Sequence, residues 1–174
     1  MKYGIYYESV TGNTEKLARA ISGVLPAQAC KAVALTARAE ETLPELLFIG
    51  FWTDKGICPP ATQSLLTGLH GKKIALFGTA GFGSGAYFDG ILERVQSLIP
   101  ADNQVLGGFL CPGEMPESVG AKYAAALENH PDDARMKGML EAFEQAKGHP
   151  AAADLEQAAA FAQAMYAKAG ESGR

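Results

Sequence analysis

The segment "YESVTGNTEKLARAI", residues 7–21, sets Ser9, Thr11 and Thr14 around Gly12, with no lysine or arginine between Ser9 and Thr14. A loop that leaves a strand and enters a helix presents unpaired N–H groups at the positive end of the helix dipole, which together make an anion site. Hydroxyls add donors without adding charge, and Gly12 lets the backbone close around the bound group. This is the chemistry of a phosphate held by neutral donors. It is not that of a GxxxxGK[ST] loop, and the dinucleotide fingerprint GxGxxG is absent from the segment. A plain helix N-cap uses the same residue types, with Thr11 or Asn13 capping and Glu15 or Lys16 in the first turn.

Two further segments carry rings and glycines. "FWTDKGICPP" (51–60) holds the only tryptophan of the chain, Trp52, and "GTAGFGSGAYF" (78–88) has four glycines and three aromatics. A planar aromatic ligand with a phosphate tail would use all three segments, donors for the phosphate and rings for the plane. Trp52 either stacks on such a ligand or folds over the domain's own core. Phe82 and Tyr87 compete for the opposite face, and Tyr87 equally fits the first core position of the following helix. Gly81 and Gly83 suit close backbone approach, or serve only as turn residues. Asp54 and Lys55 read as solvent-facing loop residues. Cys58 adjoins the second segment without a neighbouring base or resolving thiol, which argues against a functional thiol. The three cysteines (Cys30, Cys58, Cys111) and three histidines (His70, His130, His149) are scattered, giving neither a disulfide framework nor metal-ligand spacing. No Ser/His/Asp or Cys/His constellation is readable.

The elements that must position these residues alternate. "YGIYY" (3–7) reads as a strand. Leu17, Ile21, Val24 and Leu25 mark a helix closed by Pro26. "ACKAVAL" (29–35) is a weaker strand, and "RAEETLPE" (38–45) fits a brief helix. "LLFIGF" (46–51) and "KKIALFG" (72–78) are continuous apolar runs of the kind covered on both faces, and "QVLGGFLC" (104–111) is a fifth strand. Leu65, Leu66 and Leu69, then Ile91, Leu92, Val95 and Ile99, mark the intervening helices. The pattern predicts an α/β chain, a five-stranded parallel sheet with helices on both faces, a three-layer sandwich. The segments after the first, third and fourth strands then open on one sheet edge, where ligands bind in such sheets. After "CPGEMPE" the chain reads as helices near 117–129, 132–147 and 151–169. The last two follow His-Pro pairs, which suit proline and acids in a first turn.

The 174 residues fit one domain, 1–174, with about 112–150 an added helical segment before the final helix. Hydrophobic residues are 48% and charged residues 20%, an ordinary globular balance, and the net charge of -4 argues against nucleic-acid or anionic-membrane binding. No apolar run approaches the ~18 residues of a membrane helix. "MKYGIYYES" has no signal-peptide pattern, and the cysteine usage points to a cytoplasmic protein.

"SVTGNT" (9–14) matches the [ST]-x-T-G-x-T phosphate loop of the flavodoxin family, at the same place after an N-terminal strand. The chain resembles a short-chain flavodoxin over roughly residues 1–111 and a final helix. The resemblance implies a flavodoxin-like fold with strand order 2-1-3-4-5 and FMN as the cofactor; both belong to the family rather than to the spacing. It implies that Ser9, Val10, Thr11, Gly12, Asn13 and Thr14 bind the FMN phosphate. Phe51, Trp52, Thr53, Asp54, Lys55 and Gly56 would flank the isoalloxazine, with Thr79, Ala80, Gly81, Phe82, Gly83 and Tyr87. Gly56 is either an ordinary loop glycine or, as in flavodoxins, a flippable peptide whose carbonyl meets the reduced ring. Many flavodoxins carry G-x-G-D-x-x-x-Y in the third loop where this chain has "GFGSGAYF", and flavodoxins are usually far more acidic. The helices of 117–147 replace a short passage; covering part of the flavin edge and forming a partner surface are both open to them. The implied function is low-potential electron transfer to a partner reductase, with no catalytic residue. The alternatives are an NAD(P)H-dependent quinone or FMN reductase of the same fold, and a cofactor-free protein-interaction module.

Overall fold

The computed structural model describes residues 1–27, 32–34 and 43–171. In chain order the elements are β1 (Tyr3–Tyr7), α1 (Asn13–Val24), β2 (Ala32–Ala34), β3 (Leu46–Trp52), α2 (Pro60–Thr67), β4 (Lys73–Ala80), α3 (Ala86–Gln96), β5 (Gln104–Pro112), α4 (Glu117–Asn129), α5 (Ala134–Ala146) and α6 (Ala152–Glu171). The strands run parallel in the order β2-β1-β3-β4-β5. β1, β3, β4 and β5 form the body of the sheet, and the three-residue β2 pairs with β1 through Ile5–Tyr7. Cys30 and the other residues of the 29–35 segment outside β2 lie outside the described residues. So does most of "RAEETLPE", whose described end, Leu43–Glu45, is not helical.

The continuous apolar runs are explained by two cores, one on each sheet face. Side chains of a strand alternate between faces, so a strand covered twice must be apolar at every position. Leu46 and Phe48 of β3 join Tyr3, Ile5, Ala75 and Phe77 under α1 and α6, where Leu17, Ile21, Ala158 and Ala162 meet them. Leu47, Ile49 and Phe51 join Ile74, Leu76 and Leu110 under α2 and α3, against Leu66, Ile91 and Val95. The alanines at helical spacing on α6 let that helix lie close on the sheet.

α4 and α5 form a hairpin beyond this sandwich. Phe143 of α5 is buried, with its ring where a Cβ on Gly120 of α4 would lie, so the glycine permits the close crossing. The His-Pro prolines do not enter the helices they precede. Asp133 caps α5, its Oδ1 accepting the N–H groups of Arg135 (2.9 Å) and Met136 (3.1 Å). Asp154 accepts the N–H of Ala151 (2.7 Å) and meets His149 Nδ1 at 2.6 Å, holding the start of α6. A carboxylate that satisfies orphan N–H groups outcompetes a proline that merely tolerates them.

Candidate functional site

Register brings the C-terminal ends of three strands level. Trp52 pairs with Thr79, which pairs with Cys111, and Ala80 pairs with Pro112. Phe51 and Trp52 therefore end β3, and Thr79 and Ala80 end β4, rather than lying in loops. Beside these ends is a cavity of about 360 Å³. Val10 and Thr11 line it from the β1–α1 loop with Asn13 at the start of α1, Trp52 from the end of β3 with Thr53 just after it, and Thr79, Ala80, Gly81 and Phe82 from β4 and its loop. The remaining wall is the segment after β5 and the face of α4 that carries Val119 and Tyr123.

The β1–α1 loop leaves its helix open. Gly12 occupies the N-cap position at φ 85°, and α1 has no side-chain cap. This corrects the plain-cap alternative, since neither Thr11 nor Asn13 caps. Positive φ is why glycine stands there. Asn13 and Thr14 are buried and their side chains are engaged elsewhere. Asn13 Nδ2 donates to the carbonyl of Glu114 (2.8 Å), and the Thr14 and Thr79 hydroxyls share a hydrogen bond of 3.1 Å. Ser9 Oγ accepts the N–H of Glu15 at 3.4 Å. The N–H groups of Asn13 and Thr14 thus remain for an anion while the loop is fixed to β4 and to the β5 exit.

Trp52 and Thr53, which line the cavity, each carry a fully buried polar atom, Nε1 and Oγ1, without a hydrogen-bond partner among the described residues. Each unsatisfied group costs about 1–3 kcal/mol.

Several residues expected at the ring stand back from the cavity. Phe51 is wholly buried in the core beneath α2 and α3, because alternation along β3 sends it away from its neighbour Trp52. Asp54 to Ile57 form a tight turn closed by Asp54 N–H to Ile57 O (2.8 Å) and Ile57 N–H to Asp54 O (3.1 Å). Its central residues Lys55 and Gly56 have φ 49° and 84°, as a primed hairpin turn requires. The Gly56 carbonyl, an expected ring contact, instead accepts from Arg94 Nε at 2.8 Å. Tyr87 lies in α3, its ring stacked on Phe82 at 5.0 Å between centroids and filling the space beside Gly83. It therefore backs Phe82 rather than walling the cavity, while Phe82 itself is 42% exposed.

The residues that the sequence reading missed are Gly113, Glu114, Met115, Pro116, Val119 and Tyr123. Their signal was the Pro-Gly…Pro break of "CPGEMPE" at the end of a strand on the same sheet edge.

Cys58 and Cys111 are buried, and burial pushes their thiols up to about 11 and about 12. A raised pKa leaves almost no thiolate at pH 8, and the thiolate is the nucleophile. In a Cys30→Ser variant we expect a thiol reagent at pH 8 to leave both cysteines unmodified until the protein unfolds. Rapid native-state labelling would contradict this.

A flavodoxin-domain model matches residues 4–163. The chain belongs to the flavodoxin-domain family. Its relatives include the flavodoxin-like domain-containing protein BilS of Clostridioides difficile (strain CD3), 36% identical over 173 residues, spanning 97% of this chain and 98% of that one. A second protein of that name, from Clostridium symbiosum (strain WAL-14163), is 36% identical over 176 residues, spanning 89% of this chain and 90% of that one. The flavodoxin fold is shared with oxidised flavodoxin 2 of Bacillus cereus, at 20% identity and TM-score 0.54, covering 97% of this chain and 99% of that one. It is shared also with the flavodoxin of Streptococcus pneumonia TIGR4, at 15% identity and TM-score 0.54, with the same coverage. Placed on this flavodoxin framework, the cavity occupies the sheet edge at which open parallel sheets bind ligands.

Proposed function

We propose that this flavodoxin-domain protein binds FMN in the cavity and carries electrons to a partner reductase. The observation that carries the reading is a largely uncharged cavity, lined by Trp52 and Phe82, directly beside a helix start whose N-cap residue is Gly12 and brings no side-chain cap. A flat ring system with polar edges and a phosphate tail satisfies both ends at once. The N–H groups of Asn13 and Thr14 and the Thr11 hydroxyl would hold the phosphate, and Trp52 and Phe82 would flank the ring. FMN supplies one- and two-electron chemistry when bound, and the residues around it bind, orient and exclude water.

The uncharged rim of the cavity favours a carrier. At about 360 Å³ the cavity lies near the lower end of the ~300–1,000 Å³ range of small-molecule sites, which suits a single ligand. Electrons would then enter and leave through protein contact. Val10, 72% exposed, and Phe82 stand at the cavity wall, and they give a partner an uncharged contact.

Anaerobic reduction of the FMN-loaded protein tests the assignment. We expect dithionite to reduce the bound flavin in two resolved one-electron steps and NADPH alone to leave it oxidised. Direct bleaching by NADPH would instead make the protein a reductase.

A further inference from the structure

We infer that α4, together with the segment that enters it, forms the cover of the flavin ring in this chain, with Met115 and Tyr123 as ring-binding residues. The inference rests on the FMN reading above and assigns a role to the helical segment that follows β5. Four observations carry it.

First, Val119 and Tyr123 are one helical turn apart, and both line the same cavity as Trp52 and Phe82. Second, Met115 lies against Gly81: a Cβ at Gly81 would come within 2.6 Å of the Met115 sulfur, so the glycine makes room for the thioether rather than for a turn alone. A polarisable thioether beside aromatic surface is a favourable contact. Third, Tyr87, the ring that the third loop offers, is committed to Phe82 and the core, so that loop contributes only the half-exposed Phe82. Fourth, the root of α4 is tied down where the site needs it. Gly113 N–H donates to Ala80 O (2.9 Å), Glu114 N–H donates to His149 O (2.8 Å), and Asn13 Nδ2 donates to Glu114 O (2.8 Å). The last of these joins the cover to the phosphate loop itself. A Cβ on Gly113 would stand 3.0 Å from Thr79 and 3.1 Å from Asn13 Nδ2, so a side chain there would press on that junction.

The cover is thus built from a helix that rests mainly on α5, with its position set by three backbone anchors at one end. Ring contact and phosphate contact come from separate parts of the chain, and ligand pairs that differ only in the phosphate separate them.

The test measures binding of FMN and of riboflavin, which carries the same ring without phosphate, to the full chain and its variants. Tyr123→Ala and Met115→Ala should each weaken both ligands by a similar factor, roughly tenfold for the tyrosine. Tyr123→Phe should stay within about twofold of the unaltered protein. Lys122→Ala, at an exposed position of α4 away from the cavity, should change neither ligand. Far-UV circular dichroism of each ligand-free variant reports whether the hairpin still folds. If Tyr123→Ala loses helix, Met115→Ala and Tyr123→Phe still decide the matter. Ring-equal weakening by Met115→Ala supports the cover, and wild-type affinities in both Met115→Ala and a folded Tyr123→Ala overturn it. An unaltered protein that binds neither flavin overturns the FMN reading and this inference with it. One that binds FMN while the variants match it overturns this inference alone.

Discussion

Replacing Trp52 by alanine should weaken FMN binding by roughly thirty- to a hundredfold, about 2–3 kcal/mol, while the fold is retained. Trp52 is half-buried, ends β3 and presents its ring to the cavity wall, so the substitution removes the largest aromatic surface there. Trp52 belongs to neither of the two cores, so the fold does not depend on it. Trp52→Phe should recover part of the stacking surface, landing between the two. Equal FMN affinity in Trp52→Ala and the parent, by flavin fluorescence titration, would take the ring site away from this cavity.

Gly78→Ala should have the largest effect on the fold. A Cβ at Gly78 would lie 2.5 Å from the carbonyl oxygen of Phe51 and 2.9 Å from Leu110 Cδ2. The first of these is backbone of the paired strand, where Phe51 and Gly78 are register partners, so no rotamer change relieves it. Separating β3 from β4 at that point costs ladder hydrogen bonds and displaces Trp52, the next residue. We expect a loss of more than about 3 kcal/mol in urea unfolding, beyond ordinary overpacking, and little soluble protein. Gly23→Ala is the matched control. Gly23 is exposed on α1 with nothing within 4 Å of its would-be Cβ, so alanine there should add up to about 1 kcal/mol. A Gly78→Ala protein as stable as the parent would mean that β3 and β4 are not paired in this register.

The contrast between those two glycines shows what a sequence can and cannot disclose. "LLFIGFW" and "KIALFGTA" announce strands covered on both faces because burial on two sides leaves no room for polar alternation. The loop geometry of "SVTGNT" was legible for a similar reason, since it is local: a positive-φ glycine and a helix start lie within six residues. The position of Gly56 could be read as a turn, but Arg94 on α3, which holds its carbonyl, lies 38 residues away along the chain. Tyr87 was ambiguous because it opens a helix, and only the helix phase decides whether it faces the loop or the core. Least legible was the wall from Gly113 to Tyr123. Its prolines and glycine mark a break after β5, yet the direction in which the chain leaves depends on Ala80, Asn13 and His149, which are distant in sequence. Local chemistry was readable, and long-range anchoring was not.

The central claim, that FMN binds in the cavity, is tested most directly through the chain's only tryptophan, which is part of the cavity wall. Emission from Trp52 should fall steeply as FMN is added, saturate at one flavin per chain, and stay low after desalting, with the flavin co-eluting with the protein. Tryptophan emission unmoved by saturating FMN, with all flavin lost on desalting, would contradict the account and leave the β1–α1 loop as a helix start without a phosphate to hold.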